Sequence, residues 1–377
     1  MAVTQGALDA LIEQGGAIKA DGGLVYLSAQ SLNALTSTVI KHTGITEAQT
    51  LVTGEKGQIY LMGGMAKDRI EVGGTLDASA PKDGNGGFIE TSANHVRFAD
   101  DARITTAADR GQSGNWLIDP LNFTVAASGG DITGSALGSL LGSNSVTIQT
   151  NSTGTNTDTT RYGESGSNGD IFINDPVSWN ANTTLTLNAE RNISINKPIT
   201  ATGASGALAL AYGQGAPASG NTATYSVNAP VNLMAGNNFS TQLGSDGAAV
   251  AYTVITDLGS SGSTTATDLQ GMNGDLAGHY VLGANIDASG IANFTPVGSS
   301  TASFTGIFDG LGHTISGLNV NGSGGYKGLF GQISAATVQN VGLLGGSVSG
   351  TSSFVGSLVG RANSSSLISN MLNCIEI

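Results

Sequence analysis

Short apolar runs that follow glycine recur along this chain, and most of them alternate apolar with small polar residues. Leu24-Val25-Tyr26-Leu27 follows Gly22-Gly23, Ile59-Tyr60-Leu61 follows Gly57, Phe88-Ile89 follows Gly86-Gly87, and Trp116-Leu117-Ile118 follows Gly114. Weaker runs lie between them at 45–48, 70–76, 96–98 and 104–107. A period of two sends alternate side chains to opposite faces, so each run predicts a strand with one buried face. In the middle of the chain the spacing becomes regular. LTL at 185–187 is answered by LAL at 208–210, a step of 23, and IFI at 171–173 by ISI at 193–195, a step of 22. Two offset series that advance together predict a solenoid, in which short strands joined by turns make one coil and inward residues form apolar ladders. The expected fold class is all-β: a right-handed parallel β-helix with short helical and loop insertions. At 22 residues per coil the chain would hold about 17 coils.

The pattern breaks in several places. Ala7, Leu8, Leu11 and Ile12 have helical spacing and predict a short amphipathic helix that ends at Gly15-Gly16. Helical insertions are expected at 31–41, 133–141 and 265–272. Residues 151–170 are almost all Asn, Thr, Ser and Gly and are expected to form a loop. From residue 301 the texture changes to FTGIFDGLGHTISGLNV, and GLFG at 328 and GSLVG at 356 lie 28 apart, a second repeat family. The expected organisation is a β-helix segment at 1–126, a β-helix with a helical insert near 133–141 and the polar loop 151–170 at 127–260, and a β-helix at 261–377 that continues into the second repeats at 301–377.

Composition narrows the function. Gly is 57 of 377 residues, charged residues are 11%, and 14 Lys and Arg stand against 27 Asp and Glu. Fourteen cations spread over this length cannot track a phosphate backbone, so nucleic acid is not an expected partner. One Cys cannot form an internal disulfide, and the absence of a run of 18 apolar residues argues against a transmembrane segment. Low charge is what stacked coils require. Equivalent positions would lie ~4.8 Å apart, where a column of like charges repels. The first residues carry no Lys or Arg before Lys19 and have acids at Asp9 and Glu13, unlike a signal peptide.

Candidate chemistry is sparse. Asp77, Asp83, Glu90 and Asp109 could line a column on one face, as a β-helix lyase or hydrolase would need, with Arg97, Arg103 and Arg110 available as partners, but nothing in their spacing demands it. Asp100 and Asp101 are adjacent and read as a solvated turn. His42, His95, His279 and His313 have no metal-ligand or triad spacing, and His313 reads as a turn residue. Cys374 is assigned to a frayed terminus. The Gly-rich stretches 203–210 and 328–333 lack the Lys-Ser/Thr of a phosphate loop. No catalytic, cofactor or metal residue is therefore assigned. N-x-S/T sequons at Asn122, Asn151, Asn182, Asn192, Asn238, Asn293 and Asn363 arise easily from this composition and are possible glycosylation positions.

The stretch GGFIETSANHVRFADDARITTAADRGQSGNWLIDPLNFTVAASGGDITGSAL (86–137) resembles the filamentous haemagglutinin-type exoproteins, large bacterial adhesins exported by two-partner secretion. GGLVYLSAQSLNALTSTVIKHTGITEAQT (22–50) is similar to the coil region just upstream in that family. FDGLGHTISGL, GLFG and SLVG are similar to the GLUG repeat. The resemblance assigns 1–126 to the haemagglutinin type and 301–377 to GLUG-like repeats. It implies a protein secreted or held at the bacterial cell surface, with host-cell glycans or surface proteins as partners and an outer-membrane two-partner-secretion transporter for the full-length protein. The family's export signal and NPNG-type motif are absent, so the chain reads as an internal or truncated piece. The expected function is a structural and adhesive segment that works by multivalent contacts, not an enzyme, and without a cofactor. The alternatives are a polysaccharide-acting β-helix enzyme, a haem- or haem-carrier-binding exoprotein, and a fragment with no independent role.

Overall fold

A computed structural model describes residues 9–30, 37–52, 54–153, 168–351 and 353–376. The chain is 43% strand and 5% helix, wound as a parallel β-solenoid of about 12 turns. The expected all-β solenoid is present, but with fewer coils than 17. The 22–23 step holds only where Ile171 meets Ile193 and Leu185 meets Leu208. Elsewhere register partners lie further apart, as with Ile59 and Ile89, 30 residues, and Val146 and Leu185, 39 residues. Two compact units are distinguished. The first comprises Met1–Pro198, Gly206–Ser226 and Thr241–Ala249, and the second Ile199–Ser205, Val227–Ser240 and Val250–Ile377.

In the first unit each early coil contributes three strands. Asp9–Gln14, Ser37–His42, Arg69–Val72 and His95–Phe98 stack as one face, and Ala17–Lys19, Ile45–Glu47, Thr75–Asp77 and Arg103–Thr105 as a second. The third face runs through Leu24–Ala29, Gln58–Gly63, Phe88–Ser92, Asn115–Asp119, Ser145–Gln149, Thr184–Asn188 and Ala207–Tyr212. Its inward positions form one continuous column, Ile59, Ile89, Trp116, Val146, Leu185 and Leu208, each at most 1% exposed. Thr91 interrupts the neighbouring column, and the Trp116 indole N–H donates to its hydroxyl at 3.2 Å, so the buried oxygen is satisfied.

The helix expected at 133–141 is found at Gly134–Leu141 and stands where the second-face strand would be. The Thr133 hydroxyl caps it by accepting from Ala136 N–H, and the Asp175 carboxylate accepts from Gly134 N–H at 2.7 Å. Gly138 lets the helix lie directly on the next coil, because a Cβ there would meet the Ser178 carbonyl oxygen at 2.3 Å.

Three other expectations fail. Residues 9–14 form a strand, not a helix: Asp9–Gln14 pairs in parallel with Ser37–His42, and this partner outweighs the local helical spacing. The same strand occupies 37–42, where helix was expected; residues 1–8 and 31–36 lie outside the described set. At 265–272 a regular helix is blocked by Ala266 at φ 58, and only a 3-10 turn forms, Gln270–Gly274. The Asp268 carboxylate holds that loop by accepting from Ser263, Thr265 and Gly271 N–H. Most of the expected polar loop, 154–167, lies outside the described residues.

The second unit repeats the three-faced plan. His279–Leu282, Ile307–Asp309, Thr337–Gln339 and Leu367–Ser369 form one face; Ile286–Asp287, Thr314–Val320, Gly342–Val348 and Leu372–Glu376 form another; Phe330–Ser334 pairs with Val359–Asn363 on the third. Residue 374 therefore lies in a paired strand, not a frayed end. The core is more aromatic here: Phe330 packs on Phe304 at 5.0 Å and on Phe308 at 5.4 Å. At one corner Asn340 and Asn370 adopt φ 55, which Asn tolerates better than most residues. Their amides make a ladder, Asn370 Nδ2 to Asn340 Oδ1 at 3.0 Å and Asn340 Nδ2 to the buried Asp309 carboxylate at 2.9 Å. His313 does sit in the turn before Thr314–Val320, buried, with Nε2 2.9 Å from the Val231 carbonyl.

The ladder geometry makes a direct prediction. Leu187→Ala, in the neighbouring inward column between Ile148 and Leu210, lowers the unfolding free energy by about 2–5 kcal/mol, whereas its outward neighbour Thr186→Ala changes it by less than about 0.5 kcal/mol. Equilibrium urea unfolding of the two variants measures this difference.

Candidate binding face

Parallel stacking turns the outward side of the third face in the first unit into three columns of side chains. The first holds Leu24, Gln58, Phe88, Asn115 and Ser145; the second Tyr26, Tyr60, Glu90, Leu117, Thr147 and Thr186; the third Ser92, Asp119, Gln149 and Asn188. Leu24 and Tyr26 are 56% and 57% exposed. The Tyr26 and Tyr60 rings lie 5.9 Å apart and Tyr60 and Phe88 5.7 Å apart, an aromatic row at one end of the face. The other end is amide and hydroxyl: Asn188 Nδ2 donates to Gln149 Oε1 at 3.2 Å, and Thr147 reaches Asn115 Oδ1 at 3.4 Å. Rings beside oriented amides are the equipment of a contact surface, since rings supply apolar area and amides supply adaptable donors and acceptors.

Between the two ends lies an acidic group that sequence reasoning missed. Asp119 projects outward from Asn115–Asp119, and its Oδ1 is buried with no hydrogen-bond partner. Burial first, then the nearby Glu90 and Glu190 charges, push its carboxyl up to about 7. Glu90 accepts from the Ser92 hydroxyl at 2.7 Å, and Glu190 accepts from Ser152 N–H and Oγ. Glu190 comes from a distant part of the sequence, so spacing gave no signal for the group.

The four acids weighed as a column on one face are not brought together. Asp77 stands on the second face with Glu47, Glu90 on the third, Asp83 pairs with Arg110 at 3.5 Å in an exposed loop, and Asp109 is exposed. Asp100 and Asp101 do form an exposed turn, and Asp100 accepts from Thr133 at 2.7 Å. Arg97 belongs instead to an outward column of alternating sign, Glu13, Lys41, Glu71, Arg97. That column borders an open cleft of about 500 Å³ closed on its far side by the 126–133 loop. The four histidines are dispersed. His42 is buried between the Gly73 carbonyl and Thr46, both at 3.0 Å, and burial lowers its pKa. Among the described residues no group of three His, Cys, Asp or Glu is placed to hold a metal ion.

The sequons divide by burial. Asn182 and Asn293 are exposed, and Asn151, Asn192 and Asn363 are half-buried. Asn122 and Asn238 are buried: Asn122 accepts from Asp170 N–H at 2.9 Å, and Asn238 Nδ2 donates to the Ala204 and Met234 carbonyls. A glycan on either would have no room in the folded coil. No helix among the described residues is long and apolar enough to cross a membrane.

The Asp119 environment has a pH signature. The folded carboxyl keeps its proton up to about 7, while the unfolded one releases it near ~3.9. Between those values the folded state binds more protons, so stability falls as pH rises through this window. Asp119→Asn is therefore expected to match the parent near pH 4 and to exceed it by about 1–3 kcal/mol at pH 8. Urea unfolding at both pH values is the check; equal stability at pH 8 would show that the site does not strain the charge.

Comparison with known proteins reaches only part of the chain. Residues 265–373, in the second unit, match the family model of the M26 IgA1-specific metallo-endopeptidase N-terminal region. Halomucin of Haloquadratum walsbyi is 39% identical over 109 residues, 25% of this chain, and the match spans 1% of halomucin's own length. No solved structure matches. A parallel β-solenoid with these two partial likenesses fits a large, repeat-rich exoprotein.

Proposed function

We propose that this chain is a structural and adhesive segment of a large surface or secreted exoprotein, and that it contacts glycans or surface proteins through outward columns such as the one built on Tyr26 and Tyr60. The observation that carries this reading is the aromatic row, exposed at Tyr26 and half-buried at Tyr60 and Phe88, continuing into oriented amides on one sheet face. Each such contact is weak, and repetition along stacked coils supplies avidity of ~10²–10⁴ over a single contact. The reading assigns the chain contact and display, not turnover. Export by two-partner secretion, with an outer-membrane transporter as partner, belongs to the same proposal and rests on the resemblance of 22–50 and 86–137.

The family match at 265–373 favours a second reading, in which the chain is a non-catalytic arm of a longer exoprotein that carries a peptidase elsewhere. A metallopeptidase domain encoded in the same reading frame would support that version, and an adjacent transporter gene without one would support the first.

The test is a glycan array and a cell-binding assay with the full chain and a Tyr26→Ser/Tyr60→Ser double variant. The parent is expected to bind a subset of glycans or cells, and the double variant to lose at least about tenfold in apparent affinity on the ligands that use this face. A blank array together with no cell binding would overturn the reading.

A further inference from the structure

Beyond Lys197 the sequence contains only two basic side chains of the Lys or Arg type, Lys327 and Arg361. The fold of the second unit brings both to one corner. Lys327 bridges to Val355 of the next coil, and Arg361 pairs with Gln332. Two aromatic residues share that corner. Tyr326 and Phe354, 28 residues apart, pack ring on ring at 5.1 Å. The Arg361 guanidinium lies 4.8 Å from the Phe354 ring centroid, and its Nη1 donates to the Tyr326 hydroxyl at 3.2 Å. Phe354 nevertheless remains 43% exposed.

The backbone there is unusual. Tyr326 and Phe354 adopt φ 63 and 71, the left-handed region that bulky side chains rarely occupy. The conformation is held from coil to coil by Lys327 N–H to the Phe354 carbonyl and Gly356 N–H to the Lys327 carbonyl, both at 3.0 Å. Left-handed residues recur at the coil corners of this unit, as at Asn340 and Asn370, and at this corner the repeat sets two rings side by side.

Charge completes the argument. Neither Lys327 nor Arg361 forms an ion pair among the described residues. Five aspartates of the unit accept hydrogen bonds locally: Asp257 from Thr256, Asp268 from Ser263 and Thr265, Asp275 from Ala277 N–H, Asp287 from Ser289 N–H, and Asp309 from Asn340. A guanidinium without an ion-pair partner on a partly exposed ring stack, with a second cation one residue from Tyr326 in the chain, matches a ligand that carries both an anion and an apolar C–H face. A carboxylated pyranose has both, with a carboxylate for the guanidinium fork and ring C–H bonds for the aromatic surface.

We infer that Tyr326, Lys327, Phe354 and Arg361 form a binding site for an acidic sugar residue of a glycan chain. The inference rests on the contact reading above and gives it a ligand class at a second place, separate from the Tyr26 and Tyr60 row.

The experiment is calorimetric titration of the full chain with a linear hexagalacturonate, with neutral maltohexaose and hexaglutamate as comparison ligands. The expected result is binding of hexagalacturonate at least about tenfold tighter than maltohexaose, weakened by added salt. Arg361→Gln and Lys327→Gln should each reduce it by about fivefold or more, and Arg361→Lys should fall between parent and Arg361→Gln. Circular dichroism verifies that each variant is folded. Equal binding of the acidic and neutral hexamers, preference for hexaglutamate, or unchanged affinity in Arg361→Gln would overturn the site while leaving the contact reading standing. Failure of the parent to bind hexagalacturonate at all would also overturn it, and a blank glycan array alongside would remove the wider reading as well.

Discussion

Parallel backbone hydrogen bonding from each coil to the next is the constraint on which the rest of the structure depends. It places the same position of every coil in one column, with neighbours a strand spacing apart. Each residue must therefore be compatible with its own equivalent above and below, not only with its sequence neighbours. Inside, the result is a ladder of Ile, Val, Leu and Trp that excludes water. At corners it is the amide ladder of Asp309, Asn340 and Asn370, where Asn meets both the left-handed backbone and the side-chain pairing. Outside, charge enters a column chiefly where signs alternate, as in Glu13, Lys41, Glu71 and Arg97. Where two acids do adjoin, at Glu47 and Asp77, Lys19 lies 3.0 Å from the first, while Gln49 and Ser79 N–H donate to the second.

The same constraint explains why the proposed contact sites lie on outward faces. Among the described residues the inward columns are filled by buried side chains, whereas the outward columns are free to vary. The variation is not random. Aromatic residues gather at Tyr26 and Tyr60, register partners in one unit with Phe88 beside them in the adjoining column, and at Tyr326 and Phe354 in the other. Columns convert one favourable contact residue into a row, and a row is the geometry that an extended polymer meets well.

The coil core was legible in the sequence because a step of 22–23 between LTL and LAL, or IFI and ISI, reflects the stacking itself; both pairs are register partners in the fold. The capped helix at 134–141 was legible because Thr133 and the small residues after it act locally. What escaped was whatever is decided by the next coil. Residues 9–14 carry helical spacing but gain a strand partner at 37–42. Ala266 breaks a helical pattern through a single backbone angle imposed by its loop. Asp119 looks like an ordinary strand-end acid until Glu90 and Glu190 are brought beside it. The candidate acid column does not form for the same reason: Asp77 and Glu90 are close in sequence and stand on different faces.

Site-directed cross-linking tests the in-register stacking most directly. In a Cys374→Ser background, cysteines at Thr186 and Ala209, which are register partners on the outward face, are separated by about one strand spacing, within reach of a disulfide. Cysteines at Thr186 and Ala211 are out of register by two residues, a separation of about 7–8 Å. Mild oxidation should close the first pair rapidly and leave the second largely reduced. Equal closure of both pairs, or closure of only the second, would contradict the columnar arrangement and with it the ladders and contact rows built on it.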